Sequence, residues 1–410
     1  MGSKAPARSS GSLPARKKRR GRPGRLGLAF SVLLSAAWWA AALGWFRGTG
    51  RVPVLAKLRE RGETPGAYPS VSVVVAARDE EEALGATVRS LLDQDYPGRL
   101  EVVAVDDRSD DGTGDVLAEM KAHATGRLKH LRVDELPAGW LGKNHALWLG
   151  ARAAEGGWLL FTDADVRFEP GAVGRAVRYA LNEGLDHLTL SPEIFSRAAA
   201  LRSFVAAFVL VFEVTQRPWR AADPAAREAV GVGAFNLVRR DAYARAGTHA
   251  AIPMRPDDDM RLARLLKEAG FRQGVAYGAG LVRVEWHETL SGAVRGLEKS
   301  MFPGVDYRLS VALLGSLGLF ATNVLPFLRA LFARRPSSRL LFGADMALVF
   351  AMYARGRRRS GVPAYYALLH PFGAAVLIFA MVRSAYKVLA AGGIEWRGTF
   401  YPLEELKKAP

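Results

Sequence analysis

The chain has 410 residues, half of them apolar, which is enough for one large domain or two domains together with membrane segments. It contains no cysteine, which excludes disulfides, thiolate metal sites and cysteine nucleophiles. The net charge of +17 is uneven, with +9 on residues 1–25, +8 on residues 308–359 and only −2 on residues 26–307. Because this positive charge flanks hydrophobic segments, it favours anionic lipid headgroups as its partner over nucleic acid.

Residues 1–25 are rich in Ser, Gly, Pro and Arg, which predicts a basic disordered tail. Its KKRRGRPGR run, residues 17–25, resembles an arm that binds the A·T minor groove. A non-catalytic membrane protein with a nucleic-acid-binding arm therefore stays open as an alternative. A basic cluster beside a hydrophobic segment is usually an electrostatic membrane anchor, so we do not expect nucleic acid as a partner.

Residues 26–46 are 21 consecutive uncharged residues, which predicts a transmembrane or membrane-anchoring helix. A cleaved signal peptide is the alternative, but the apolar run is long for one. The positive-inside rule places the basic tail in the cytoplasm, so a simple crossing would put the following domain outside.

Residues 65–307 alternate between strand and helix patterns. Four strands are predicted in SVSVVVAA (70–77), LEVVAVDD (100–107), LKHLRVDEL (128–136) and WLLFTDAD (158–165), with helical segments between them. This order predicts an α/β fold with a doubly wound, Rossmann-like sheet whose ligands lie at the carboxyl ends of the strands. The apolar stretch 203–214 is too short to span a bilayer, so we expect a core or interfacial helix there.

Residues 308–385 are predicted to be C-terminal membrane segments, followed by a tail over 386–410. Residues 309–328 and 362–382 are uncharged and long enough to span a bilayer. Residues 340–354 between them number only 15 and include Asp345. The segment is a short span, a re-entrant segment or an interfacial helix, and the basic loops on both sides favour one that does not cross.

Two aspartates, Asp163 and Asp165, end the apolar WLLF strand. Burying an unpaired charge is costly, so they are either a solvated turn or a site for a cation. Oxygen ligands in a D-x-D pattern suit Mg²⁺ or Mn²⁺ with open positions for phosphate oxygens.

Other polar motifs follow predicted strands or begin predicted helices. VDDRSDDGT (105–113) is a strand followed by a turn with several carboxylates, and GWLGKNHA (139–146) offers Lys143 near a helix start. The spacing around Lys143 is not that of a Walker A loop, and GVGAF (231–235) is too short for a dinucleotide fingerprint. PDDDMRLARLLKEAG (256–270) begins a helix with three aspartates, which usually only cap.

In this order, over residues 70–308, the motifs resemble those of the membrane-bound family-2 glycosyltransferases, which have a GT-A fold. The resemblance implies a first nucleotide loop in AARDEE, a uridine-binding turn in VDDRSDDGT, a diphosphate-side lysine and a metal motif in TDAD. It also implies a catalytic base, Asp259, with Asp258 in place of the usual glutamate. The implied nucleotide-binding residues are Arg78, Glu80, Asp106, Asp107, Lys143 and Asp163, and the implied metal ligands are Asp163 and Asp165.

The flanking membrane segments and GIEWRGTFYPL (393–403) are similar to members that glycosylate lipids such as sphingolipids, carotenoids or hopanoids. The resemblance therefore implies inverting, metal-dependent transfer of a sugar from a nucleotide sugar to a lipid hydroxyl. Among nucleotide sugars, we expect a UDP-sugar. Transfer to a polyprenyl phosphate is the alternative within enzymes, and it would need no catalytic base. A binding protein that kept the fold without activity is a third reading.

The chain departs from processive members, which carry a Q-x-x-R-W motif after the base. Here the corresponding segment is RGLEKSMF (295–302), which argues against a polysaccharide synthase. We hypothesise that Lys299 or Arg295 supplies a cation facing phosphate instead. The candidate acceptor-site residues are Gly233, Phe235, Asn236, Trp286 and Lys299, with His287 either beside them or a packing residue.

Nucleotide sugars are cytoplasmic, so we expect an integral membrane protein whose catalytic domain lies on the cytoplasmic face. The first hydrophobic segment would then enter against the charge rule or would not cross the membrane.

Overall fold

The computed structural model describes residues 25–58, 67–360 and 362–408. Residues 1–24 of the predicted tail, with all of the KKRRGRPGR run except Arg25, lie outside the described residues. The described strands are β1 (Val71–Ala77), β2 (Leu100–Asp107), β3 (Leu128–Val133), β4 (Trp158–Asp163), β5 (Val166–Phe168), β6 (His187–Ser191), β7 (Glu193–Ile194), β8 (Asn236–Arg239), β9 (Gln273–Tyr277), β10 (Val282–Val284), β11 (Gly393–Trp396) and β12 (Thr399–Pro402).

A seven-stranded sheet in the order β3-β2-β1-β4-β8-β6-β9 forms the centre of the α/β domain. The neighbours β3, β2, β1 and β4 are parallel, which confirms the predicted strand-helix alternation in this half. β8 runs antiparallel to both β4 and β6, so the sheet is mixed. A smaller sheet, β5-β10-β7, lies beside it, and β11 and β12 form a separate hairpin.

Helices cover both faces of the central sheet or lie outside the α/β domain. Among the described residues they are α1 (Arg25–Thr49), α2 (Glu81–Leu92), α3 (Thr113–His123), α4 (Gly142–Ala153), α5 (Ala172–Asn182), α6 (Ala199–Gln216), α7 (Arg240–Arg245), α8 (Asp258–Glu268), α9 (Leu290–Glu298), α10 (Leu309–Leu319), α11 (Leu325–Phe332), α12 (Pro336–Ser360), α13 (His370–Ala391) and α14 (Leu403–Lys408).

The continuous apolar runs of the first strands are explained by burial on both faces of the sheet. Val73 of β1 belongs to the hydrophobic core on the side of α2 and α5, where it lies with Leu84. The next residue, Val74, belongs to the core on the side of α4 and α8, with Leu147. Because successive side chains of a strand point to opposite faces, a strand buried on both sides needs apolar residues without alternation.

Three helical stretches of the described residues are long and apolar enough to cross a membrane: Ala199–Arg220, Leu309–Phe332 and Ala364–Ala391. The second joins α10 to α11 through a π-helical turn, Phe320–Val324. The third extends α13 and contains most of the segment predicted over 362–382. These apolar helices are consistent with a membrane-associated protein.

The first of these stretches corrects the expectation that residues 203–214 are too short to span. The helix α6 begins before this segment and ends after it, and its charged residues Arg202 and Glu213 both have local contacts. Arg202 donates to the Ser196 carbonyl at 2.7 Å, and Glu213 accepts from Trp45 at 2.6 Å. Both charged groups therefore have hydrogen-bond partners outside this helix.

The hydrophobic segments predicted over 26–46 and 340–354 pack against each other. The predicted helix over 26–46 lies within α1, and the segment 340–354 lies within α12. Asp345 of α12 accepts hydrogen bonds from Ser35 and Trp39 of α1, at 2.7 and 2.8 Å. The acid that interrupts the apolar segment thus joins two helices, and whether either crosses a membrane stays a prediction.

Candidate active site

The carboxyl ends of β1, β2 and β4 meet at one edge of the central sheet. A cavity of about 240 Å³ lies there, here called the strand-end cavity. Its wall includes most of the residues that the sequence analysis assigned to the nucleotide and the metal, namely Arg78, Glu80, Asp107, Lys143, Asp163 and Asp165. The parallel order of the strands brings these distant segments together.

Lys143 lies in the first turn of α4, close to two acidic groups. Its ammonium is 2.9 Å from Asp163 and 3.2 Å from Asp258. Burial alone would lower the pKa of Lys143, but the neighbouring carboxylates raise it well above its usual value, so the lysine stays charged. The preceding residue, Gly142, leaves no room for a side chain, because a Cβ there would lie 2.0 Å from an Asp107 carboxylate oxygen.

The two aspartates of TDAD have different electrostatic surroundings. Burial favours the neutral form of Asp163, but Lys143 and Lys299 hold its pKa below the usual value. Burial together with the charges of Asp163 and Glu80 raises the pKa of Asp165 to about 7. The clustered negative charge of Asp163 and Glu80 therefore disfavours the ionised form of Asp165.

This clustered charge fits a divalent cation. Among the described residues, no group of three or more His, Asp and Glu forms a complete metal cage. Asp163 and Asp165 alone would leave most positions of a hard cation open, which is the arrangement expected when phosphate oxygens supply the other ligands. The oxygen-only chemistry of the pair suits Mg²⁺ or Mn²⁺.

Asp259, the candidate base, is held at the start of α8 by two backbone N–H groups. One carboxylate oxygen accepts from Gly233 at 2.8 Å, and the other accepts from Met260 at 2.7 Å. Burial and the adjacent Asp258 raise the pKa of Asp259 to about 7. A carboxyl group poised near neutrality suits a general base.

Gly233 explains how the base and the metal motif approach each other. Its N–H binds Asp259, while its carbonyl accepts a hydrogen bond from the Asp163 N–H at 3.1 Å. A Cβ at this position would lie 2.6 Å from an Asp163 carboxylate oxygen. The predicted acceptor-site glycine therefore lies directly between the two groups.

A buried ion-pair cluster fixes the segment before α8. Arg255, only 3% exposed, pairs with Asp257 at 2.9 Å and with Asp306 at 3.2 Å. Arg261 of α8 contacts the same two aspartates. Since Asp306 lies just before α10, the cluster joins the segment that carries the base to the segment that leads into an apolar helix.

A second cavity, of about 1290 Å³, begins at Asp259 and is here called the helix cavity. It shares Lys143, Asp163, Trp286 and Lys299 with the strand-end cavity, so the two meet at these residues. Its apolar wall is contributed by all three apolar stretches. Phe208, Val211 and Phe212 come from α6, Val311, Gly315 and Leu319 from α10, and Leu377 and Met381 from α13.

Lys299 and Trp286, two of the candidate acceptor-site residues, line both cavities and so lie at their junction. Burial and the charge on Lys143 lower the pKa of Lys299 to about 8. Trp286 contacts Phe208 of α6, with ring centroids 5.0 Å apart. Arg295, the other hypothesised phosphate-facing cation, is exposed and lines neither cavity. His287 lines the strand-end cavity and packs against Gly296.

Three predicted site residues lie away from both cavities. Phe235 is fully buried in the core, with its ring 6.2 Å from that of Phe168. Asn236 is hydrogen-bonded to the buried His187. Both were expected in the acceptor site, and this was wrong because β8 begins there and turns their side chains into the domain interior.

Asp106 is the third of these residues. It is fully buried, accepts from the Ser109 N–H at 3.0 Å and pairs with Arg132 at 2.7 Å. It therefore stabilises the turn after β2, whereas its neighbour Asp107 lines the strand-end cavity. Alternation along the strand separates the two roles.

The sequence analysis missed three residues of the C-terminal hairpin that line the strand-end cavity: Trp396, Arg397 and Tyr401. GIEWRGTFYPL had been used only as a sign of lipid-glycosylating relatives. Its two short strand-like runs around Arg-Gly are a hairpin signal, but nothing local indicates which part of the domain the hairpin covers.

Comparison with known proteins gives the family. Residues 69–302 match the model of the glycosyltransferase-like family 2. A 4,4'-diaponeurosporenoate glycosyltransferase from Staphylococcus haemolyticus is 35% identical over 108 residues, 26% of each chain. One from Staphylococcus aureus is 27% identical over 184 residues, 44% of this chain and 47% of the relative. The matches thus span about a quarter to a half of these relatives.

Among solved structures, the chain is similar in fold to a mannosyltransferase from Pyrobaculum calidifontis in complex with GDP-Man and Mn²⁺. The TM-score is 0.55 at 19% identity, and the alignment covers 88% of this chain and 99% of that one. This likeness confirms the predicted GT-A fold. Because the family model matches more than half of this chain, the chain belongs to the glycosyltransferase-like family 2.

Proposed function

We propose that the protein is an inverting, metal-dependent glycosyltransferase that moves a sugar from a nucleotide sugar to the hydroxyl group of a membrane lipid. The observation that carries this proposal is the meeting of two unlike cavities beside Asp163 and Asp259. One is polar and lies at strand ends, and the other joins a charged side, which includes Asp258 and Asp259, to an apolar wall from the three helical stretches.

The strand-end cavity would bind the donor. Arg78, Glu80 and Asp107 line its nucleotide side, and Lys143 supplies a positive charge in the first turn of a helix, where phosphate is favoured. We expect a UDP-sugar, and a GDP-sugar is the other donor to test. Selectivity between them depends on the side chains that contact the base.

Asp163 and Asp165 would hold Mg²⁺ or Mn²⁺, which would neutralise charge on the leaving diphosphate. Lys143 is 2.9 Å from Asp163 and would add to this positive field. Lys299, at the junction of the two cavities, is a second cation on the same side. Fixed positive charges at a site of developing negative charge stabilise the transition state.

Asp259 would accept the proton of the acceptor hydroxyl. As the hydroxyl oxygen bonds to the anomeric carbon, the bond from that carbon to the diphosphate oxygen breaks, and its electron pair leaves with the diphosphate. The Gly233 N–H, 2.8 Å from the Asp259 carboxylate, would keep the base oriented. A single displacement of this kind inverts the configuration of the sugar.

The helix cavity supports an amphiphilic acceptor. An apolar chain would lie against Phe208, Leu319 and Leu377, with its hydroxyl at Asp259. The curated relatives are named for a carotenoid-type acceptor, which agrees with this class. We expect the catalytic domain on the cytoplasmic face, where nucleotide sugars are found, and reporter fusions at residues 5 and 65 would test this orientation.

The first experiment is nucleoside diphosphate release by the purified protein from a panel of UDP- and GDP-sugars. Membrane lipid extract would be the acceptor, with Mg²⁺, with Mn²⁺ or with a chelator. Metal-dependent release from one donor, together with a glycosylated lipid of inverted configuration, is the expected result. No release from any donor, with no metal-dependent nucleotide binding, would refute the proposal.

A further inference from the structure

The hairpin β11–β12 follows α13 directly and closes one side of the strand-end cavity. Trp396, Arg397 and Tyr401 all line this cavity, although they lie about 230 residues beyond the metal motif. The Tyr401 hydroxyl accepts a hydrogen bond from the Gly142 N–H at 3.4 Å. The last apolar helix therefore delivers a structural element to the site proposed for the donor.

The base of the hairpin is firmly packed, whereas its tip faces the cavity. Ile394, Tyr401 and Leu406 of α14 are buried in one hydrophobic cluster with Phe302 and Tyr307. This cluster fixes the hairpin on the segment between α9 and α10. The two-residue turn, Arg397 and Gly398, lies at the other end.

Arg397 occupies a backbone position that disfavours its own side chain. Its φ is +50° and that of Gly398 is +72°, as in the tight hairpin turn that normally takes Asn, Asp or Gly at both central positions. An L-residue with a long side chain is disfavoured in this left-handed region. An arginine here therefore indicates a use for the guanidinium that the turn itself does not require.

The contacts of Arg397 place the guanidinium near the metal motif. It donates to the Asp79 carbonyl at 3.2 Å and pairs with Glu80. Glu80 is close enough to Asp163 and Asp165 for their charges to interact. The side chain of Arg397 is 41% exposed, and two contacts leave some of the five N–H donors of a guanidinium for a ligand.

A second cation stands next to the turn. The Lys299 ammonium lies 4.0 Å above the ring of Trp396, and Lys299 faces both cavities. Two positive side chains, Lys299 and Arg397, thus border the same space. Such a pair suits an anion with more than one phosphate, because arginine binds phosphate oxygens in a bidentate manner and lysine adds a point charge.

We propose that Arg397 is a direct ligand of the donor's diphosphate and that the hairpin turn completes the nucleotide-sugar site. This inference rests on the proposed function and names a binding residue supplied from beyond the last apolar helix. In the bound state the guanidinium lies between Glu80 and the diphosphate, so it compensates an acidic group and an anionic ligand together.

The decisive variant is Arg397→Asn, because asparagine suits the turn conformation and lacks the guanidinium. We expect the melting temperature to be unchanged or slightly higher. In the presence of Mn²⁺, the affinity for UDP or GDP should fall roughly ten- to a hundredfold, the range for hydrogen bonds between charged groups. Arg397→Lys should recover part of this loss.

The binding measurement is isothermal titration with UDP and GDP, and competition with uridine and guanosine, which have no phosphate. The affinity of the nucleosides should be the same in wild type and Arg397→Asn. Arg99→Gln is the matched control, because Arg99 makes a surface ion pair with Glu155 at 2.7 Å on another side of the domain. We expect wild-type affinity from this control.

Each other outcome has a distinct meaning. Equal diphosphate affinity in wild type and Arg397→Asn would overturn this inference and leave the proposed function intact. An equal loss of nucleoside and diphosphate affinity would also overturn it, because the residue would then act on the nucleoside or on the fold. Absence of nucleotide binding by the wild type itself would refute the proposed function.

Discussion

The strand-end cavity and the helix cavity meet at the same four residues but are built in opposite ways. The first measures about 240 Å³ and is lined by charged side chains at the ends of parallel strands. The second measures about 1290 Å³ and combines an apolar wall from three helices with a charged side that includes Asp258 and Asp259. In the proposed function the donor binds in the first cavity, whereas the acceptor and the base Asp259 belong to the second, so variants should separate donor binding from transfer.

We expect Asp259→Asn to separate the rate of sugar transfer from nucleotide binding most strongly. Loss of the proposed base should reduce the rate of transfer to a hydroxyl acceptor about 10²- to 10⁴-fold. The strand-end cavity keeps all its lining residues in this variant, so binding of UDP or GDP should persist. Initial rates of lipid glycosylation and equilibrium nucleotide binding would be measured on the same preparation.

Asp241→Asn is a suitable control for that variant, because Asp241 is an exposed aspartate in the first turn of another helix, α7. It should leave the transfer rate unchanged. A near-normal rate in Asp259→Asn would contradict the hydroxyl acceptor and favour a polyprenyl phosphate, whose anionic oxygen needs no base.

The next effect concerns the donor side. Asp165→Asn should abolish the tightening of nucleotide binding by Mn²⁺ or Mg²⁺ and slow transfer roughly a hundredfold or more, because metal ions contribute several kcal/mol to such reactions. Titration of UDP and GDP with and without metal would measure the first effect. Metal-dependent binding of normal strength in this variant would show that the cation is held elsewhere.

A smaller effect is expected from filling the helix cavity. A Cβ at Gly315 of α10 would meet no atom within 4 Å, so Gly315→Leu should extend into the cavity without a clash. Reduced space should raise KM for the lipid acceptor roughly tenfold, the lower range of overpacking costs. Nucleotide affinity should not change.

Gly343→Leu is the matched control, since Gly343 of α12 is also open within 4 Å and does not line the helix cavity. Kinetics with the native lipid extract would be compared for both leucine variants. Equal KM values in wild type and Gly315→Leu would argue that the acceptor does not occupy this cavity.

The same contrast explains what could be predicted from the sequence. The proposed donor side was predictable because its motifs end strands or begin the following helix, and parallel strands bring these points together; Asp107, Lys143 and Asp163 accordingly line one cavity. Phe235 and Asn236 could not be placed, because the antiparallel insertion of β8 decides which way they point. Arg397 was missed since a hairpin's contacts lie far away in sequence.

The smallest predicted effect is on pH dependence, and it tests the region where the cavities meet. Burial and the charge of Asp258 raise the pKa of Asp259 to about 7, so the carboxylate form needed to accept a proton is lost as the pH falls through 7. The value of kcat/KM for the acceptor should therefore rise with pH, reach half its plateau near pH 7, and fall about tenfold per unit below that.

Asp258→Asn gives a sharper test of this pH dependence. The pH at which kcat/KM rises reports the pKa of the base, and it does not depend on the maximal value of kcat/KM. Removing the charge of Asp258 should lower the pKa of Asp259 and move the rising limb of kcat/KM to lower pH, even if the variant is slower. A limb that stays near pH 7 in Asp258→Asn would mean that another group controls it. A limb absent from the wild type would remove Asp259 as the base, and the junction would then serve only to bring the two substrates together.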